Sequence, residues 1–104
     1  MTPPLSLRTQ QLVAGIFSLK DRADASQWLE QKCGNNLPFC SDYDEYQMER
    51  LRFAAIKLSQ GNIQTLLQAI DAACMDWRDL LVAAGFGNDV MAHEAWAKDV
   101  LRQP

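Results

Sequence analysis

Apolar residues recur every seven positions between residues 62 and 84, and this repeat predicts helix. Further apolar residues follow each member of the repeat at three and at four positions, with no polar residue among them. This spacing places all the side chains on one face of an α-helix. The ten positions are Ile63, Leu66, Leu67, Ile70, Ala73, Cys74, Trp77, Leu80, Leu81 and Ala84. The pattern predicts helices that pack against each other through apolar faces.

This segment can form one long helix or two shorter ones. Asp76 is a good N-cap residue and stands directly before Trp77, so we expect a break there. The dipeptide Gly61-Asn62 precedes the segment, where glycine ends one helix and asparagine caps the next. So short a connection predicts an antiparallel helix pair.

Capping residues and apolar spacing predict helices on both sides of this segment. Ser6 can cap a first helix that ends near Leu19, and Asp21 or Asp24 can cap a second helix that ends at Gly34.

Two more helices follow from the same signals. Ser41 or Asp42 can begin a third helix that runs to about Ser59. Asn88 or Asp89 can cap a last helix that ends near Arg102.

These elements define the expected fold class. The chain has 104 residues, 48% of them hydrophobic, which suits a single domain with a real core. We predict an all-α fold, a compact orthogonal or antiparallel bundle of five to six short helices over residues 1–104. Residues 1–5 form an extended tail, because Pro3 and Pro4 oppose helix there.

Charge distribution narrows the class of partner. Residues 1–61 carry seven basic and seven acidic side chains, whereas residues 62–104 carry three basic and six acidic ones. An acidic surface repels a phosphate backbone, so nucleic acid is an unlikely ligand of the C-terminal part. The longest apolar runs are too short for a membrane span.

Three cysteines, Cys33, Cys40 and Cys74, form no disulfide framework by number or spacing. We therefore expect no disulfides, and a reducing cytoplasm is the simplest compartment. Cys74 lies on the apolar face beside Asp71 and Asp76, which should raise the pKa of its thiol. Cys40 is the better candidate for a nucleophile, although a catalytic thiol needs an electropositive setting.

His93 is the only histidine and could serve as a base or a metal ligand. No CxxC, HxxxH or HExxH motif accompanies it, so we expect a histidine that is hydrogen-bonded at the core edge. The acidic residues near the third helix, Asp42, Asp44, Glu45 and Glu49, suit the start of a helix. We therefore predict no catalytic residues, no cofactor and no metal.

The third helix is apolar on two sides and offers the strongest functional signal. One face carries Met48, Leu51, Ala54, Ala55 and Leu58. The other carries Tyr46, Phe53 and Ile56, with Glu49 between them and Arg50, Arg52 and Lys57 flanking. Such a helix is either central in the fold or part of an interface. In the second case Tyr46, Glu49, Phe53 and Ile56 form a partner surface with a charged rim.

Two segments resemble known families. Residues 76–96, DWRDLLVAAGFGNDVMAHEAW, resemble a family of small uncharacterised bacterial all-helical proteins with no assigned activity. Residues 15–33 resemble the first helices of Trp-repressor-like regulators, which would imply DNA binding. The basic reading helix of such regulators does not follow, because the segment after Gly87 offers acids and no Lys or Arg before Lys98.

We therefore expect a non-catalytic protein-interaction module, with a homodimer or another protein as partner. The alternative is a DNA-binding regulator that uses the helix–turn–helix-like outline around Gly85 and Gly87. A small enzyme is the third hypothesis.

Overall fold

The computed structural model describes residues 5–33, 45–87, 89 and 91–102. These residues form six α-helices and no strand, which confirms the all-α prediction. The helices are α1 (Leu7–Ile16), α2 (Arg22–Lys32), α3 (Glu45–Ser59), α4 (Ile63–Met75), α5 (Trp77–Ala83) and α6 (Ala92–Arg102).

The first helix begins at the expected cap and ends early. The Ser6 hydroxyl accepts a hydrogen bond from the Thr9 backbone N–H, as an N-cap does. The helix stops at Ile16 because Phe17 takes extended backbone angles and turns its buried side chain inward. Asp21 occupies the N-cap position of α2, but its carboxylate accepts from the Ser18 hydroxyl (3.1 Å) and makes no cap bond.

The break at Asp76 is confirmed. Helix α4 ends at Met75 and α5 begins at Trp77, with Asp76 in extended conformation between them. The Asp76 carboxylate accepts from the Arg78 backbone N–H at 3.0 Å. All ten positions of the apolar repeat are buried or half-buried.

The α3–α4 connection also follows the prediction. Gly61 has a φ of +81°, and the Asn62 side chain accepts from the Thr65 backbone N–H. A Cβ added to Gly61 would lie 2.7 Å from the carbonyl oxygen of Ile16. The turn between α3 and α4 is thus packed against the end of α1.

Helix α3 lies at the centre of the bundle. It packs against α1, α4, α5 and α6, while α2 packs against α1 and α4. Every residue from 51 to 56 is buried, so α3 is covered on all sides over that length. Of the two interpretations offered for its two apolar faces, the described structure corresponds to a central helix.

This arrangement corrects the expected partner surface. Phe53 and Ile56 are fully buried by the chain's own helices, so neither side chain is available to a partner. Glu49 is half-buried and belongs to the polar cluster described below. The side chain of Tyr46 lies outside the described part of the chain.

The basic residues of α3 do not form a rim around an interface. Each donates to a main-chain carbonyl at or just beyond the C-terminal end of another helix. The pairs are Arg52 with Cys33 (2.9 Å), Lys57 with Ala84 (2.8 Å), and Arg50 with Phe86. Terminal carbonyls lack intrahelical partners and carry the negative end of the helix dipole. These cations therefore fix the ends of α2 and α5 to α3.

Helix α6 ends at Arg102 as expected but begins later than predicted. Asp89 accepts from the Met91 backbone N–H at 2.8 Å, and the helix starts at Ala92. The expected caps Ser41 and Asp42 lie outside the described residues, as do Cys40 and the tail before Leu5. None of the described helices combines the length and apolar character that crossing a membrane requires.

Two glycines provide a matched test of this packing. Gly61→Ala should lower the free energy of unfolding by about 1–3 kcal/mol, because its φ is positive and Ile16 blocks the new methyl group. Gly15→Ala should raise it by about 0.5–1 kcal/mol, since Gly15 is in a helix with open space around it. Urea denaturation of both variants measures these changes. A Gly61→Ala protein as stable as the wild type would contradict the turn described here.

Candidate functional site

A polar cluster joins α1, α3 and α6. The Nη2 atom of Arg8 donates to Glu49 Oε1 at 2.6 Å and to Glu94 Oε1 at 3.0 Å. One nitrogen of α1 thus bridges two carboxylates from different helices. The side chains of Arg8, Glu49 and Glu94 are 35%, 11% and 21% exposed, so the cluster lies at the protein surface with Glu49 innermost. These hydrogen bonds, that with Glu94 above all, raise the pKa of Arg8.

The start of α1 is fixed to this cluster. The Ser6 hydroxyl donates to the second carboxylate oxygen of Glu49, Oε2, at 2.6 Å. The same oxygen of Ser6 accepts from the Thr9 backbone N–H and lies 2.8 Å from the Thr9 hydroxyl. Both oxygens of Glu49 therefore have donors from α1 or its cap, which holds the carboxylate in one orientation.

His93 lies beneath the carboxylates among aromatic rings. Its imidazole is fully buried, and its ring centre is 5.5 Å from that of Phe53 and 6.2 Å from that of Phe86. Trp96 completes the group, with its ring 6.2 Å from Phe53 and 6.0 Å from Phe86. The guanidinium of Arg8 stands 5.8 Å from the Phe53 ring centre. The polar cluster therefore packs against a group of buried aromatic side chains.

Burial controls the charge of this histidine. Removal from water lowers the pKa of His93 below its ordinary value, which outweighs the opposite influence of Glu94 and Glu49. Arg50 and Arg8 also lower it. The imidazole is consequently neutral at pH 7, the form in which a ring nitrogen can coordinate a metal.

Three potential ligand atoms meet here. One atom each from Glu49, His93 and Glu94 lies within 4.8 Å of the other two. Two carboxylate oxygens and one imidazole nitrogen form a donor set that suits a divalent metal ion. In this structure the two carboxylates bind the cationic side chain of Arg8.

The sequence identified some of these residues but not their association. His93 was expected at the core edge and is fully enclosed in the core. Glu49 was assigned to a partner surface and instead contacts Arg8. Arg8 and Glu94 were not singled out. The available signal was Glu49 itself, because a charged residue on an apolar helix face needs a partner.

The cysteines do not form a second site with His93 in the described structure. Cys33 is buried in the core, and Cys74 is half-buried. Burial, with Asp71 adding to it, raises the pKa of Cys74, as the sequence predicted. A raised pKa reduces the thiolate fraction, so Cys74 is poorly suited to act as a nucleophile. The acidic residues 42 and 44 lie outside the described part.

The region around Gly85 departs from a helix-turn-helix. Residues 84–91 separate α5 from α6, whereas such motifs use a turn of about 3–4 residues. Gly85 does take a positive φ of +83°, so the glycine turn itself is present. One face of α6 is buried in the core through His93 and Ala97.

Two large exposed apolar residues stand close in the sequence to members of the polar cluster. Leu7 is 70% exposed and precedes Arg8 directly in the chain. Met91 is 53% exposed and lies three residues before Glu94, about one helical turn. The two residues that form the outer bridge, Arg8 and Glu94, therefore each have an exposed apolar residue close to them in the sequence.

Comparison with known proteins adds no relative to this description. No family model, no curated protein and no solved structure gave a match to the chain. The site is interpreted from its own geometry.

The protonation of His93 gives a direct test of the buried site. Because the pKa is lowered by folding, the unfolded chain binds more protons than the native protein just below pH 6.5. Stability contributed by the neutral imidazole is complete above that pH and is lost as the pH falls. NMR titration of the single histidine should give a midpoint below about 6.5 in the native state and near it in urea.

Glu94→Gln is the matched variant for this titration. It removes the carboxylate that most opposes the effect of burial, so the midpoint should move further down. A native midpoint at or above the unfolded value would contradict an imidazole buried as described.

Proposed function

We propose that the protein is a non-catalytic protein-binding module. We place its binding surface where α1 and α6 pack together, around the bridge between Arg8 and Glu94, and we include Leu7 and Met91 in it. The single observation that supports this proposal is the exposure of Leu7 and Met91, which stand close in the sequence to the two residues of that bridge.

The chemistry of this surface suits a protein partner. Exposed apolar side chains that lie close together mark interaction sites more often than isolated ones do. Methionine and arginine are enriched in protein interfaces, and a polar rim sets the orientation of the partner. Arg8 is already held by two carboxylates, so little side-chain freedom would be lost when a partner binds.

A second copy of the chain is one partner with the required properties. In a two-fold symmetric pair the same patch would meet itself, which corresponds to the expected homodimer. We place the protein in the cytoplasm, since the structure has Cys33 and Cys74 as thiols.

A DNA-binding regulator remains the alternative, with less support. The acidic balance of residues 62–104 opposes contact with phosphates. The long connection between α5 and α6 also leaves α6 without the setting of a recognition helix.

Charge substitution at the patch tests the proposal. We expect the wild type to self-associate in sedimentation experiments over a range of concentrations. Leu7→Lys and Met91→Lys should each weaken association by about tenfold or more, because a buried lysine replaces an apolar contact. Leu19→Lys is the control, since Leu19 is 80% exposed but lies beyond the opposite end of α1.

The outcome for a different partner is equally defined. If the wild type stays monomeric, the wild type and the three lysine variants are each used as bait in quantitative pull-downs. A partner retained by the wild type and by Leu19→Lys, but lost from Leu7→Lys and Met91→Lys, supports a heterologous complex. The proposal is contradicted if the wild type does not self-associate and also retains no such partner.

A further inference from the structure

The most concentrated set of ligand atoms in the described structure lies in the polar cluster. Glu49 comes from α3, and His93 and Glu94 come from the first turn of α6. The three donor atoms lie within 4.8 Å of one another. In a metal site, ligands bind at about 2.0–2.2 Å from the ion, so the three donor atoms must move closer together than in this structure when an ion binds.

The cluster already holds a positive charge. A single nitrogen of Arg8 contacts both carboxylates, at 2.6 Å for Glu49 and 3.0 Å for Glu94. The position between the two carboxylates is thus a cation position in this fold. The same two carboxylates that belong to the donor set thus converge on one positive charge.

The surroundings resemble those of an organised ligand set. Ser6 donates to Oε2 of Glu49 and fixes the carboxylate, as second-shell groups do around metal ions. The aromatic rings of Phe53 and Phe86 fix the plane of His93 from below. Arg8 and Glu94 are partly exposed, so an ion can reach the cluster from solvent.

We propose that Glu49, His93 and Glu94 bind a divalent first-row transition-metal ion in place of the Arg8 guanidinium. One nitrogen and two oxygen donors suit Zn²⁺, Co²⁺, Mn²⁺ or Fe²⁺ better than Mg²⁺ or Ca²⁺, which prefer oxygen alone. Water completes the coordination on the solvent side. Arg8 then acts as an internal competitor that occupies the site when the metal is scarce. This inference does not depend on the proposed protein-binding role.

Co²⁺ provides the direct probe, because its visible absorption reports coordination geometry. Titration of the wild type should produce d–d bands without thiolate charge-transfer absorption, and paramagnetic shifts of the His93 ring protons. His93 is the only histidine, so its signals are assigned without ambiguity. Calorimetry with Zn²⁺ gives the affinity.

Variants separate this site from adventitious binding. Glu49→Gln and Glu94→Gln keep the side-chain shape and should each weaken Zn²⁺ binding about a hundredfold. Arg8→Gln removes the competitor and should tighten binding about tenfold. Glu30→Gln, an exposed glutamate on α2, should leave the affinity unchanged.

His93→Gln should also abolish the cobalt spectrum, but this buried substitution can unfold the chain. The two glutamate variants, each checked by circular dichroism, therefore decide the result. Binding that is unchanged in both, a cobalt spectrum dominated by thiolate ligands, or no binding at millimolar metal would overturn the proposal.

Discussion

Residues 51–56 of α3 are enclosed on every side, and the rest of the structure supplies partners for the charged groups that this burial takes out of water. Five of these six residues are apolar, but Arg52 carries a charge into the core. A buried charge without partners is strongly destabilising. Burial lowers the pKa of Arg52, and its Nε atom donates to the Cys33 carbonyl at the end of α2. Lys57 and Arg50 similarly meet carbonyls at the end of α5. The cations of the central helix therefore hold the C-terminal ends of two neighbouring helices against α3.

The polar cluster meets the same requirement for a negative charge, because the poorly exposed carboxylate of Glu49 also needs partners. Glu49 lies two residues before the enclosed segment 51–56, and its carboxylate needs positive charge and hydrogen-bond donors. Arg8 and Ser6 supply them from α1, and Glu94 shares the arginine from α6. Helices α1 and α6 are therefore held to α3 by polar contacts that lie next to the buried aromatic side chains. A surface built this way can be opened by exchange of ions more readily than an apolar one, because ion pairs at the surface contribute little net stability.

Local features of the fold were predictable from the sequence. The ten-position apolar repeat, the break at Asp76 and the Gly61-Asn62 turn each depend on residues close together in the chain. The cluster was not predictable in this way, because Arg8 is separated by 41 residues from Glu49 and by 86 from Glu94.

The two interpretations of α3 that the sequence leaves open have a related cause. Arg50 and Arg52 were interpreted as part of a charged rim because charged residues usually face solvent. Their acceptors are backbone carbonyls, which every sequence contains and no residue pattern marks. A helix with two apolar faces and interspersed arginines is therefore ambiguous until the ends of its neighbours are located.

Native-state hydrogen exchange tests the central position of α3 most directly. If α3 is enclosed by α1, α4, α5 and α6, the amides of residues 51–56 can exchange only when the whole domain unfolds. Their exchange should give the same free energy as global unfolding in urea and should be among the slowest in the protein. Exchange of these amides through a lower-energy opening, while α4 stays protected, would contradict the account.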